Sequence, residues 1–354
     1  MNTYTANETN VKALGRTYFY DQVLWFSHSA SGAEFILQGS YCEITFMGDE
    51  TATASWGAGH EARIAVYLDD RKVIDSLIDA ETKSFSINQG ELRGGIVRIV
   101  KLSEASDSTV GILKIMTDGT IAPPSDHNAL KLEFIGDSIT CGYGVDEELG
   151  GLYSTANEDA TKSYAYKAAR KLQADYSMVC FSGYGIISGY TGDGKLNADS
   201  LLPPYYDRLG RSYGSFASGR RPEHIQWDFK RYTPDLIIIN LGTNDSSYCK
   251  EDSAKGEAFR DAYVEFLKTV REKNPDSYIL CTLGIMGTYL YPYVEQAVLR
   301  YREETMDRLI SSMQLTEQRL EDGYAVDWHP SEITHEKAST QLVKYLNEIR
   351  ITKE

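Results

Sequence analysis

Ser138, in the run Gly136-Asp137-Ser138-Ile139-Thr140, stands where a serine can carry out hydrolysis. The preceding Leu130-Lys131-Leu132-Glu133-Phe134-Ile135 alternates apolar and polar residues and ends apolar, which predicts a strand feeding a tight glycine turn. Strand ends are where α/β enzymes place reacting groups. Three further segments complete a hydrolase set. Tyr176 to Phe181 is a short apolar strand followed by Ser182-Gly183-Tyr184-Gly185, where glycine leaves a backbone N–H open to close approach. Pro234 to Leu241 is a nearly all-apolar, β-branched run ending in Gly242-Thr243-Asn244-Asp245, as expected of a parallel strand buried on both faces. Near the C-terminus, Ala325-Val326-Asp327-Trp328-His329-Pro330-Ser331 reads as a strand-like lead into a polar turn. The order along the chain is Ser, Gly, Asn, His.

This constellation resembles the Gly-Asp-Ser-Leu, or SGNH, serine hydrolases, with Ile139 in place of the family's leucine and motif blocks spread over residues 130 to 345. The resemblance implies a catalytic set of Ser138 as nucleophile, His329 as general base and Asp327 as its carboxylate, with no metal and no cofactor. It implies an oxyanion hole made of the Ser138 N–H, a glycine N–H and the Asn244 amide. A serine hydroxyl is a weak nucleophile until a base within reach takes its proton, and pre-aimed donors stabilise the charge that then develops on the carbonyl oxygen. Gly185 is the glycine expected in the hole, with Gly183 as the alternative. The spacing of Asp327 departs from the family's Asp-x-x-His. On an extended segment an aspartate two residues before the histidine shares its side and can orient the second ring nitrogen. In a turn it points elsewhere, and a backbone carbonyl holds the tautomer instead. The Asp-Trp-His-Pro-Ser form, followed by Thr334-His335, is similar to that of the family-2 carbohydrate esterases, which remove acetyl groups from xylan and glucomannan.

The elements that must position these residues follow from hydrophobic period. Residues 1–122 hold short β-rich stretches at Ala33–Leu37, Tyr41–Phe46, Arg63–Leu68, Ser84–Ile87 and Gly95–Val100, with turn chemistry at Asp69-Asp70 and Asn88-Gln89-Gly90. An all-β jelly-roll sandwich is predicted there, and Val23 to Ser27 followed by Ser31 to Phe35 looks like the domain that precedes the catalytic one in family-2 carbohydrate esterases. Ile121-Ala122-Pro123-Pro124-Ser125-Asp126 reads as the boundary, because paired prolines stop strand pairing. In residues 123–354, helices are predicted at Ser163–Leu172, Ala254–Lys273, Val294–Met313 and Glu336–Ile349, with a further strand at Tyr278–Leu283. Strands alternating with helices predict an α/β domain with a doubly wound parallel sheet, the SGNH hydrolase fold.

Composition removes other classes of function. The 354 residues carry a net charge of −15 with no basic cluster, which argues against nucleic-acid binding and disfavours highly acidic polymers as substrates. No apolar run is long enough to span a bilayer, so no membrane partner is expected. The first residues lack the basic and apolar regions of a secretory signal, and the five cysteines have no short-range pairing. Together these predict a cytoplasmic protein with free thiols, acting on imported oligosaccharides. The assembly state is left open, a homo-oligomer included.

Two motifs compete with the Ser138 reading. Gly210-Arg211-Ser212-Tyr213-Gly214 matches a nucleophile elbow, but a polar, aromatic-rich loop precedes it where an elbow needs a buried strand. Gly189 to Lys195 approaches a phosphate loop, but Leu196 replaces the required hydroxyl. His329 and His335 lack the further ligands of a metal site. For sugar binding the candidates are Trp328, next to the base, with Tyr184 and Tyr289 among tyrosines clustered near the motifs, since aromatic faces stack on sugar rings. The expected function is polysaccharide deacetylation, the removal of O-acetyl groups from acetylated xylan- or glucomannan-type saccharides through an acyl-enzyme. The alternatives are a short-chain lipase or thioesterase of the same superfamily and a non-catalytic carbohydrate-binding protein.

Overall fold

A computed structural model describes residues 1–88, 94–125 and 130–349 of the protein. The chain divides into two compact units. The first comprises Met1–His127, Tyr153–Ala160 and Asp207–Trp227; the second comprises Asn128–Leu152, Thr161–Tyr206 and Asp228–Glu354.

Two antiparallel six-stranded sheets form the first unit. One runs in the order Thr17–Tyr20, Val23–Phe26, Val110–Thr117, Tyr41–Gly48, Thr82–Asn88, with Asn2–Tyr4 also on Val110–Thr117. The other runs Thr120–Ala122, Gly32–Gln38, Gly95–Lys101, Ala62–Leu68, Arg71–Ile78, with Lys12–Leu14 also on Gly32–Gln38. Alternation puts Cys42, Ile44 and Phe46 inward from one sheet and Ile64, Val66 and Leu68 inward from the other, into a single sandwich core. Asp69 and Asp70, at φ 47° and 65°, make the hairpin turn expected of them. The other predicted turn continues into Gln89 and Gly90, outside the described residues, as does the linker at Asp126.

The sequence places Tyr153–Ala160 and Asp207–Trp227 with the catalytic domain, whereas both pack into the first unit, through polar contacts and, at buried Phe216, through ring contacts with Tyr18 and Trp25. Tyr153 donates its hydroxyl to Asp107 Oδ2 at 2.6 Å, the same hydroxyl oxygen lies 3.0 Å from Glu158 Oε2, and the Glu104 N–H donates to Glu158 Oε2 at 2.8 Å. The fully buried Lys101 ammonium donates to the Glu104 carbonyl at 2.6 Å. Arg16 donates to the Arg208 carbonyl at 2.6 Å, and the ring of buried His28 bonds the Leu209 carbonyl at 2.9 Å through Nε2. Ser212 belongs to this segment, and its buried Oγ accepts the Gly214 N–H at 3.2 Å.

In the second unit the elements are β1 (Lys131–Gly136), α1 (Ser138–Cys141), α2 (Tyr164–Lys171), β2 (Asp175–Cys180), β3 (Leu236–Asn240), α3 (Thr243–Cys249), α4 (Ser253–Lys273), β4 (Tyr278–Leu283), α5 (Tyr291–Thr305), β5 (Ile310–Gln314) and α6 (Glu332–Glu348). The five strands are parallel in the order β2-β1-β3-β4-β5. Burial of every residue of β3 fits a sheet covered on both faces. Apolar residues of α4, among them Phe259, Tyr263, Phe266, Leu267 and Val270, recur at helical spacing on its buried side, and Asp252 caps the helix by accepting the N–H of Ala254 and Lys255.

The helix predicted over Val294–Met313 is instead a helix, a turn and an edge strand. α5 ends where Met306 adopts a left-handed conformation, and Asp307 then anchors the turn by pairing with Arg271 (2.8 Å) and accepting the Leu309 N–H. Neither glycine nor proline marks this stop, so the sequence hides it. The last helix begins at Glu332, four residues before the predicted start at Glu336, because Ser331 caps it by accepting the Thr334 N–H.

Candidate active site

In a sheet of order 2-1-3-4-5 the neighbouring strands β1 and β3 connect in opposite directions, and a crevice opens beyond their C-terminal ends. Ser138 follows β1 and Asn244 follows β3, so both sit at this switch point. Gly136 is required there, since a Cβ would run into the Thr140 side chain. Asp137 caps the turn with its carboxylate, which accepts the Ile139 N–H at 3.0 Å, and the turn presents Ser138 at its first position.

The crevice is a cavity of 760 Å³ whose lining includes Ser138, Tyr143, Gly183, Asn244, Trp328 and His329. The Ser138 hydroxyl donates to His329 Nε2 at 2.8 Å. His329 Nδ1 faces the Val326 carbonyl at 3.2 Å, an assignment that puts the ring proton on Nδ1 and leaves Nε2 as acceptor. Withdrawal from water lowers the imidazole pKa to about 4, against the opposing pull of the Val326 carbonyl and the Asp327 charge. The ring is therefore neutral at pH 7, as a proton acceptor must be.

Asp327 does not occupy the position of a triad carboxylate. The strand-like reading of its segment fails because Val326–Trp328 is a helical turn in which Asp327 and Trp328 have φ of 53° and 65°. In that conformation the Asp327 carboxylate, which lines the cavity, accepts the Tyr143 hydroxyl at 3.1 Å, and it is the Val326 carbonyl that stands at the ring's Nδ1.

Gly185 is likewise displaced from its expected role. Its N–H donates to the Ser200 carbonyl at 3.1 Å, and its Cα packs so closely on the Ser188 carbonyl that a Cβ would collide. Gly183 lines the cavity instead, at φ 79° with open space where a Cβ would be. Asn244 is buried and lines the cavity; its Nδ2 donates to the Tyr184 carbonyl at 2.8 Å and lies 3.4 Å from Asp137 Oδ2. Asp245 receives the N–H groups of Ile186, Ile187 and Ser188, fixing the loop that follows Gly183. Burial raises the pKa of Asp137 to about 7 and that of Asp245 to about 6.

Of the three aromatic candidates, Trp328 lines the cavity and is 59% exposed, its ring resting on Tyr324 at 5.3 Å. Tyr184 is 5% exposed and packs on Phe181 and Tyr205, so it belongs to the core, and Tyr289 lies outside the cavity lining. Tyr143, Tyr190, Ser182, Ser246, Ser247 and Met286 also line it. Tyr143 and Tyr190 carry a signal in sequence, as tyrosines beside the motif blocks; Ser246 and Ser247 lie one turn past Thr243 and Asn244 on α3 and could have been found from helical spacing. His335 is fully buried, its Nδ1 accepting the Tyr164 N–H at 3.1 Å. Among the described residues, the grouping with metal-ligand spacing is Glu104, Asp107 and Glu158, in the first unit.

Comparison with known proteins points to one family. The profile of the GDSL-like lipase/acylhydrolase family matches residues 134–337. An acetylxylan esterase/glucomannan deacetylase of Cellvibrio japonicus is 28% identical over 98% of this chain and 91% of its own length. The cellulase/esterase CelE of Acetivibrio thermocellus is 31% identical over 88% of this chain, which spans 37% of that protein's length. A solved structure of a family two carbohydrate esterase from Clostridium thermocellum, in complex with cellohexaose, superposes with a TM-score of 0.80 at 27% identity, covering 97% of this chain and all of that one.

Proposed function

Given that the chain belongs to the GDSL-like lipase/acylhydrolase family, we propose that it is a serine esterase that removes O-acetyl groups from xylan- or glucomannan-type saccharides. The observation that carries this reading is the 2.8 Å contact of Ser138 Oγ with a neutral, carbonyl-held imidazole, in a cavity that also presents Gly183 and Asn244.

The steps follow from the geometry. As Ser138 Oγ attacks the acetyl carbonyl, His329 Nε2 takes its proton, and the forming imidazolium is held through Nδ1 by the Val326 carbonyl. The tetrahedral oxyanion is met by the Ser138 and Gly183 N–H groups and the Asn244 amide. His329 passes its proton to the departing sugar oxygen, leaving acetyl on Ser138. Water, deprotonated by the same imidazole, then attacks the acyl-enzyme and releases acetate. Trp328 offers an exposed ring face beside the base, suited to a sugar ring. The name of the Cellvibrio relative supports the substrate class.

The test is acetate release from acetylated xylo-oligosaccharide and acetylated glucomannan by the intact protein, by Ser138→Ala and by Ser212→Ala. Loss of release in Ser138→Ala alone is expected. Hydrolysis confined to long-chain acyl esters would replace this reading with a lipase or thioesterase.

A further inference from the structure

We infer that Tyr143 is a positioning residue, which ties down the Asp327 side chain so that the Val326 carbonyl, in the absence of a triad carboxylate, aims the His329 imidazole at Ser138. The inference rests on the reading of His329 as the general base.

The backbone that carries the base is unfavourable by itself. Asp327 and Trp328 are consecutive non-glycine residues in the left-handed region. An aspartate tolerates that region through local hydrogen bonds, whereas a tryptophan has no such recourse. A carbonyl can replace a carboxylate as the orienting group only if its peptide is fixed, so this turn needs ties from outside. The Val326 N–H donates to the Glu147 carbonyl at 3.1 Å, the Ala325 N–H to the His329 carbonyl at 2.8 Å, and Gln318 Nε2 to the Trp328 carbonyl at 2.8 Å. The Tyr143 hydroxyl completes the set on Asp327 Oδ2 at 3.1 Å.

Tyr143 is also joined to the nucleophile, because its own N–H donates to the Ser138 carbonyl at 3.1 Å. One residue thus registers the serine turn against the histidine turn. Its ring does a second job: it lies 4.3 Å from the His329 ring, tilted by 35°, where it blocks rotation of the imidazole on that side and presents a π face to the imidazolium that forms during attack. The role of Asp327 is then to receive Tyr143.

The experiment compares Tyr143→Phe, which keeps the ring and removes the hydroxyl, with Asp327→Ala, which removes its acceptor, and with the double variant. Two readouts are used: kcat and KM for acetate release, and the His329 Nδ1 proton resonance in the ligand-free protein. Tyr143→Phe is expected to lower kcat by roughly ten- to a hundredfold, as small misplacements of a reacting group do, with KM within about twofold, and to shift or broaden the Nδ1 resonance. Asp327→Ala, which removes the acceptor, should give a similar loss, and the double variant no more than the larger single one, since both remove the same tie. An unchanged kcat with an unchanged resonance in Tyr143→Phe, or losses that multiply in the double variant, would overturn the proposal. If either single variant melts well below the parent, the exposed Asp327→Ala or the volume-conserving Tyr143→Phe, whichever folds, carries the test. The resonance needs no turnover, so a wild-type protein inert on every ester would sink the esterase reading while still reporting whether Tyr143 holds the ring.

Discussion

Ser138 and His329 touch through a single short hydrogen bond, and chemistry that depends on it has no substitute nearby. Ser138→Ala is expected to lower acetate release by roughly 10⁴-fold or more, with the residual rate supplied by the oxyanion donors. Asn244→Ala should lower kcat by about 10²–10³-fold with little change in KM, because its amide is engaged by the oxyanion and not by the ground state. The pH dependence follows from burial of the base. A histidine whose pKa is lowered stays neutral as acid is added until that lower value is reached, so kcat/KM should hold level below pH 6.5 and fall only toward pH 4. A break near pH 7 would instead point to Asp137, which titrates there. Serine and asparagine were legible in sequence because each follows an apolar run, and histidine because its Asp-Trp-His-Pro-Ser block carries the family resemblance. The status of Asp327 and the choice between Gly183 and Gly185 were not, since one turns on left-handed backbone and the other on which N–H is already spent on Ser200.

Elements were read best where period and punctuation agree. β1, β3 and α4 show both, and their predicted and observed ranges differ by a residue or two. β5 was lost because a helical pattern runs on through Met306, which ends α5 in a conformation normally left to glycine. Met306 is exposed, so Met306→Gly should stabilise the protein by about 0.5–1 kcal/mol, the relief of left-handed strain less glycine's extra chain entropy, measurable by denaturant titration. Gly136→Ala should act in the opposite sense. Its methyl would press on the Thr140 side chain, displacing the turn that presents Ser138, and both stability and kcat should fall.

At the scale of the molecule, a net charge of −15 acts on anything charged that approaches. KM for a carboxylate-bearing acetylated oligosaccharide should exceed that for a neutral one at low salt, and the gap should close as ionic strength rises to about 0.15 M and beyond; kinetics on a matched pair of substrates would show it. The sandwich and the parallel sheet were both evident from strand spacing, but their true membership was not, because Tyr153–Ala160 and Asp207–Trp227 join the first unit through scattered polar partners and the ring of Phe216, which no periodic pattern marks. That interleaving constrains how the protein is made. A nascent chain folds from its N-terminus as it emerges, yet here the N-terminal sandwich is incomplete until Trp227 has left the ribosome, while β1 and β2 already wait for β3, still unmade. Until Glu158 has been made, Lys101 and Glu104 lack it as a partner, and between the emergence of β2 and that of β3, β1 has only one of its two neighbours. The two units must mature almost together, and a ribosome stalled before residue 227 would release neither.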